Sequence, residues 1–354
     1  MKKRLFCILL ISLLLCACAA PAADAGVEPA PGNILFTDDT GRRVELPARI
    51  QRIVPASSLS QNLLRPLAPD LFVGLASDME EADAGYMPQE WFSLPYFGSL
   101  YSGADLNVEE LALAAPQVIL DIGQTKPDTT EDLDALQAQT GIPTVFLSTD
   151  LESLPETYLR LGQLLGREDR AAQLAAFCQQ VLDNTMSVLE KIGPNRVSCL
   201  YILGEEGLNV IASGTYHSTL IDLLTNNRAV VSSPTGKGTG NQVSMEQILL
   251  WDPEFIVFAP GSVYSAAAND ETWSQLTAIR SGRYAESPEA PHNWLGMPPG
   301  VQQYLGMIWL TAVLYPELCG YDVKAQIQEF YRLFYDHTVT DNEYALLTAK
   351  AFPG

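Results

Sequence analysis

Two stretches, NVEELALAAPQVILDIG from Asn107 and SMEQILLWDPEFIVFAPG from Ser244, repeat one pattern 137 residues apart and put a carboxylate at the same place in both, Glu109 and Glu246. Asn107 and Ser244 are suited to cap a helix, with Glu110 and Gln247 three residues on, the spacing of a capping box. A glutamate in the first turn then offsets the positive end of the helix dipole. Leu111 matches Ile248, Leu113 matches Leu250, and Pro116 and Pro253 stop both helices at equal distance, because proline breaks the helical ladder. An apolar strand follows each, at 118–120 and 255–257. A helix-then-strand unit used twice implies two lobes of like build, with a cleft between them as the natural ligand site.

Other residues offer different chemistry. In GKGTG, residues 236–240, the glycines expose backbone N–H groups and Lys237 adds charge, so the loop could cradle an anion or serve as a mobile surface loop. It is not a P-loop, since the glycine spacing and the Ser or Thr after the lysine are absent. His217 could ligate a metal, donate to an anion, or simply be solvated. With only His217, His292 and His337 in the chain, a bare Zn²⁺ or Mn²⁺ site built from several histidines is not expected. No G-x-S-x-G, H-E-x-x-H or S-x-x-K with its companion motifs occurs, so the reading is a binding protein rather than an enzyme, with no cofactor.

The elements that must position these residues follow from periodicity. Short apolar runs (RIVPAS, LFVGLAS, QVILDIG, PTVFLS, then RVSCLYILG, LNVIAS, AVVSS, EFIVFAPG) alternate with helical stretches, which predicts an α/β sandwich in each half. Between the halves, from Glu168 to Ile192, no Pro or Gly appears, and Ala171, Leu174, Ala175, Cys178, Val181, Leu182, Met186 and Leu189 recur at helical spacing. A helix of that length is roughly 37 Å long, enough to act as a strut from lobe to lobe. The later helix around Leu305, Ile308, Trp309, Ala312 and Val313 is expected to pack on the C-terminal sheet, and the amphipathic stretch after Val323 to join the core.

At the start, Lys2-Lys3-Arg4 precede an apolar run over 5–15, which closes on Leu15-Cys16-Ala17-Cys18. That is an export signal, too short for the roughly 20 apolar residues of a membrane span. Its ending resembles a bacterial lipobox, with Cys18 as the lipidated residue, and residues 18–32 read as a flexible tether. The full chain carries a formal charge of −21, and loss of residues 1–17 removes three basic groups, leaving 18 basic against 42 acidic and a net −24. Such a surface repels nucleic acid. Cys178 and Cys199 read as small core residues, and with Cys319 the three remaining cysteines argue against a disulfide framework. The organisation expected is a signal peptide at 1–17, a tether at 18–32, an N-terminal lobe at 33–150, a linking helical segment at 151–193 and a C-terminal lobe at 194–354.

Taken in order, FTDDTGRRVELPARIQRIVPASSLSQNLL, NVEELALAAPQVIL, the long helix and SMEQILLWDPEFIV resemble the solute-binding proteins of bacterial ABC importers for iron chelates, haem and cobalamin. The resemblance runs from about Leu35 to Ala351. It implies two α/β lobes on one rigid backbone helix, a small hinge closure, and a monomer that works outside the cytoplasm with an ABC permease dimer and its ATPase. It gives Glu109 and Glu246 a further task, each docking into an arginine pocket of one permease subunit. It also places the ligand cleft at loops that hold Ser58, Tyr101, Gln124, Tyr216, His217, Lys237, Ser262 and Trp294. Tyr101, Tyr216 and Trp294 lie in polar loops and are expected to wall the ligand. The cargo implied is an iron chelate such as a siderophore or haem. Where cobalamin and siderophore sites of the family often carry an aromatic, the Lys237 loop is small and polar, which disfavours a bulky planar ligand and leaves room for a compact anion. The alternatives are cobalamin or an oxyanion such as molybdate or tungstate.

Overall fold

The computed structural model describes residues 30–79, 84–100, 107–296 and 300–353. The expectations for Cys18, for the signal and most of the tether, and for Tyr101 therefore lie outside the described residues. A hairpin of β1 (Asn33–Thr37) and β2 (Arg43–Pro47) opens the fold, pairing Phe36 with Val44. Its turn is organised by the buried Asp38 carboxylate, which accepts from Thr40 Oγ1 at 2.7 Å and from the Arg42 N–H at 3.0 Å. Arg42 then reaches the Thr144 carbonyl, Gln137 and Asp134, fastening the hairpin to the first lobe.

That lobe is a parallel sheet of β3 (Ile53–Pro55), β4 (Val118–Gly123) and β5 (Thr144–Ser148), with α1 (Ser58–Leu64), α2 (Val108–Leu113) and α3 (Thr129–Thr140) around it. The second lobe is built on β6 (Ser198–Leu203), β7 (Asn209–Val210), β8 (Asn226–Asn227), β9 (Asn241–Gln242), β10 (Phe255–Phe258) and β11 (Tyr284–Glu286). Its main ladder, β8, β6, β10 and β11, is parallel, while β7 and β9 add antiparallel. The helices of this half are α6 (Thr219–Leu224), α7 (Met245–Trp251), the single turns α8 (Tyr264–Ala267) and α9 (Thr277–Arg280), then α10 (Gln302–Leu314), α11 (Val323–Tyr335) and α12 (Asp341–Leu347).

Between the sheets, α4 (Leu154–Leu165) turns at Gly166, φ +63°, into α5 (Glu168–Ile192). The 25 residues of α5 cover the span that lacked helix breakers. Of its apolar stripe only Met186 is exposed. Gly162 lies so close to Ala171 that an added Cβ would come within 2.3 Å of the Ala171 Cβ, so α4 and α5 pack almost backbone to backbone.

α5 does not join the lobes alone. Eleven of the thirteen residues of α10 are buried, as expected of a helix apolar on every side, and it packs on α5 and α11 as well as in the core under the C-terminal sheet. From α11, Phe330 and Phe334 meet Phe177 of α5 at 6.0 and 5.8 Å, and the Tyr335 ring lies 3.8 Å below the Arg65 guanidinium of the first lobe. One continuous core therefore runs from Ile53 and Val118 through α4, α5, α10 and α11 to Cys199 and Phe255. Each sheet has a smaller core on its other side, one around Leu111 and Ile119, the other around Ile248 and Ile256.

Two apolar runs do not become strands. LFVGLAS makes only isolated bridges, Phe72 with Ile53 and Leu75 with Tyr96, and the Phe97 ring presses on Gly74, where a Cβ would come within 2.0 Å of it. In AVVSS, Ala229 is buried and Val230 exposed, and the strand forms just before it, at Asn226–Asn227.

Candidate functional site

A cavity of about 50 Å³ lies between the lobes. The first lobe contributes Leu59 and Leu63 of α1, Gln124 after β4, and Thr149, Asp150, Leu151 and Leu154 after β5. The second contributes Tyr216, Thr219, Gly300 and Gln303. On the N-terminal side these positions follow the carboxyl ends of parallel strands, where open α/β sheets place their ligand sites.

Local hydrogen bonds make the walls rigid. Ser57 caps α1, and Ser60 Oγ accepts from the Ile122 N–H at 2.9 Å and donates to Asp121 at 3.2 Å, holding Leu59 beside β4. Asp150 accepts from Ser153 Oγ at 2.7 Å and from the Glu152 and Ser153 N–H groups. Burial opposes its charge, but the Ser153 hydroxyl and these N–H groups outweigh it and hold the acid below the usual carboxylate range, so Asp150 is ionised near neutral pH. Across the gap, Asp222 accepts from Ser218 Oγ at 2.6 Å, Gly214 N–H at 2.8 Å and Asn227 Nδ2 at 2.8 Å, and Thr215 and Ser218 form a capping box. Tyr216 stands on that platform, 38% exposed, with its phenol pushed up by burial.

Of the residues expected at the cleft, the structure brings Gln124 and Tyr216 to one cavity from opposite lobes. Ser58 begins α1 directly before the lining residue Leu59. The His217 ring lies 5.7 Å from that of Tyr216, and its Nδ1, like Ser262 Oγ, is buried with no hydrogen-bond partner among the described residues. Lys237 is exposed on the loop between β8 and β9 and does not line this cavity.

Trp294 requires a correction. It is 0% exposed and donates through Nε1 to Tyr331 Oη at 3.3 Å. Its carbonyl would come within 2.4 Å of a Cβ at Gly306, so the tryptophan is wedged under α10 and cannot wall a ligand. Its polar neighbours in PHNW hid a residue whose ring belongs to the core.

Thr149, Asp150, Thr219 and Gln303 were not singled out from sequence. Thr149 and Asp150 follow β5 immediately and were within reach of the strand-end rule. Gln303 sits in a helix whose residues read as pure core. Of the larger recesses, two, of about 650 and 470 Å³, both reach Tyr86 and are walled by Tyr335 and by Leu346 respectively. They lie apart from the Gln124 and Tyr216 cavity and share none of its lining.

The repeated unit is matched in three dimensions. α2 and α7 place Leu111 and Ile248, both fully buried, against their sheets, and leave Glu109 and Glu246 exposed. Asn107 accepts from the Glu110 N–H at 3.1 Å and Ser244 from the Gln247 N–H at 3.3 Å. The return half of the box is replaced in α2 by Asn107 Nδ2 donating to Glu110 at 3.3 Å. The backbone N–H of Glu246 and the Ser244 hydroxyl hold the Glu246 acid below its ordinary value. After each helix one non-glycine residue takes positive φ, Ala115 at +44° and Asp252 at +33°, which turns the chain out of the helix before the proline.

Two parallel-sheet lobes, a long helix between them and a cavity walled by both define a two-lobe solute-binding protein. The chain belongs to the periplasmic binding protein family, whose model matches residues 92–291. It is similar to an ABC transporter solute-binding protein from Sulfurospirillum deleyianum, with 25% identity and a TM-score of 0.79 over 89% of this chain and 99% of that one. It is similar in fold to a periplasmic solute-binding protein from Veillonella parvula, with 22% identity, a TM-score of 0.71 and coverage of 90% and 98%. The molybdate-binding protein MolA of Haemophilus influenzae shares the fold at 21% identity and a TM-score of 0.65, over 87% of this chain and 99% of that one. No curated protein matches the sequence. The protein is thus a solute-binding component of an ABC importer that works outside the cytoplasm.

Proposed function

We propose that the protein, anchored by lipid on Cys18, captures a metal chelate of the ferric siderophore or haem class between its lobes. It then delivers the chelate to a permease dimer whose two subunits receive Glu109 and Glu246. The observation that carries the cargo class is the lining: amides of Gln124 and Gln303, hydroxyls of Thr149 and Thr219, the Tyr216 ring and the ionised Asp150. Such a wall suits a chelate with many hydrogen-bonding atoms, and the carboxylate repels a bare anion. At about 50 Å³ the cavity holds little more than a water molecule's share of liquid volume, so a chelate needs the lobes to part.

That same small volume favours a second reading, a compact oxyanion such as molybdate or tungstate. The thermal midpoint of the chain from Asn33, measured against ferric siderophores, haem, cobalamin, molybdate and tungstate, separates the two. A ligand at 100 times its dissociation constant adds about 2.7 kcal/mol to the folded state. A shift with a chelate is the expected result. A shift with the oxyanions alone, or with nothing in the panel, overturns the chelate assignment.

A further inference from the structure

Leu113 and Leu250 are 85% and 77% exposed, the two most exposed large apolar residues among those described. They occupy the same position of the repeated unit, each four residues after its glutamate, so each lies one turn along the face that carries Glu109 or Glu246. The fold has no use for them. Each helix fully buries a single side chain, Leu111 or Ile248, and that residue already holds it to the sheet. Neighbouring positions differ freely between the copies: Glu110 against Gln247, Ala112 against Leu249, Ala114 against Trp251. The glutamate and the leucine are the outward-facing residues that agree. Large apolar side chains left in water at matched places are the mark of a surface that something covers.

We infer that Leu113 and Leu250 are the apolar half of a two-point contact with the permease, each entering an apolar socket beside the cationic group that meets the neighbouring glutamate. The occupant is a pair of like membrane subunits. Its charge follows from the glutamates on a chain of formal charge −21, and its duplication from one glutamate and leucine pair on each lobe. This rests on the docking role proposed above and adds a second, salt-insensitive component to it. The ion pair would govern encounter and weaken with ionic strength, whereas the leucines would govern residence.

The test measures the affinity of the full-length protein for the permease dimer in nanodiscs, from low to high salt. The variants are Leu113→Ala with Leu250→Ala, Leu113→Met with Leu250→Met, and Glu109→Gln with Glu246→Gln. Loss of each leucine should weaken binding about tenfold, so the alanine pair should lose about a hundredfold with the salt slope unchanged. The methionine pair should stay near the parent, and the glutamine pair should flatten the salt slope. An alanine pair within twofold of the parent, a methionine pair as weak as alanine, or a fall in thermal midpoint for the leucine variants overturns the inference. If the leucine variants are silent while the glutamine pair loses binding, the leucine contact alone falls. If all three bind like the parent, the docking role falls with it.

Discussion

In the first lobe the chain leaving α2 is closed by Arg52, whose Nε donates to the Ala115 carbonyl at 2.9 Å and whose Nη2 donates to that of Ala114. In the second lobe the corresponding turn is closed by Asp252, which accepts from the Thr277 N–H and hydroxyl at 2.7 Å each. The next tie differs too. Gln117 Oε1 accepts from the Gln51 and Arg52 N–H groups at 2.6 and 3.1 Å ahead of β3, while Glu254 Oε2 accepts from the Ser198 N–H at 2.8 Å at the start of β6. The supports on the inner side have diverged, yet both units keep the buried anchor, the positive-φ turn, the exposed glutamate and the exposed leucine. Supports that vary beneath a matched glutamate and leucine fit the docking role proposed for those two residues.

That comparison is open to breakage. Leu111→Ala and Ile248→Ala each remove a fully buried side chain and should destabilise the protein by about 2–5 kcal/mol. Urea unfolding that finds either below about 1 kcal/mol would end the equivalence of the two anchors. Arg52→Ala strips two carbonyls of a charged donor and should lower stability by about 1–2 kcal/mol. Thr277→Ala keeps the N–H bond to Asp252 and should lower it by about 1 kcal/mol or less, a difference readable in the same titration. Ala115→Gly relieves positive φ and should stabilise by up to about 1 kcal/mol. Asp252→Gly relieves the same strain but forfeits both bonds from Thr277, so it should come out destabilising.

The smallest effect is a pH response confined to one lobe. Bonds from the Ser198 N–H and hydroxyl hold the Glu254 acid below its ordinary value of 4.5. Its folded value lies below the unfolded one, so its contribution is present above about 4.5 and is lost as pH falls through the folded value. Gln117 does not titrate. The protection of the Ser198 amide relative to its intrinsic exchange rate should therefore fall before that of Gln51 on acidification, and Glu254→Gln should remove the difference. Equal onset at both sites would contradict the assignment.

The long helix was legible because 25 residues without Pro or Gly leave the backbone no place to break, and its stripe of Ala, Leu, Cys and Val left one face to bury. The two units were legible because a cap, a proline and an apolar strand each act over a few residues. The cavity was legible only in part. The family resemblance placed Gln124 and Tyr216 at the cleft, whereas Asp150 and Gln303 join them only when two lobes close on a shared core, and sequence spacing carries no record of that approach. Trp294 failed for the same reason in reverse, a core ring among polar neighbours.

Uptake by cells carrying Glu109→Ala with Glu246→Ala tests most directly whether the two matched glutamates deliver the cargo. The solute supplied would be the one in the panel that raises the thermal midpoint. Uptake should be lost while the purified double variant keeps the parent's ligand-induced shift in midpoint. Normal uptake by the double variant would contradict the claim.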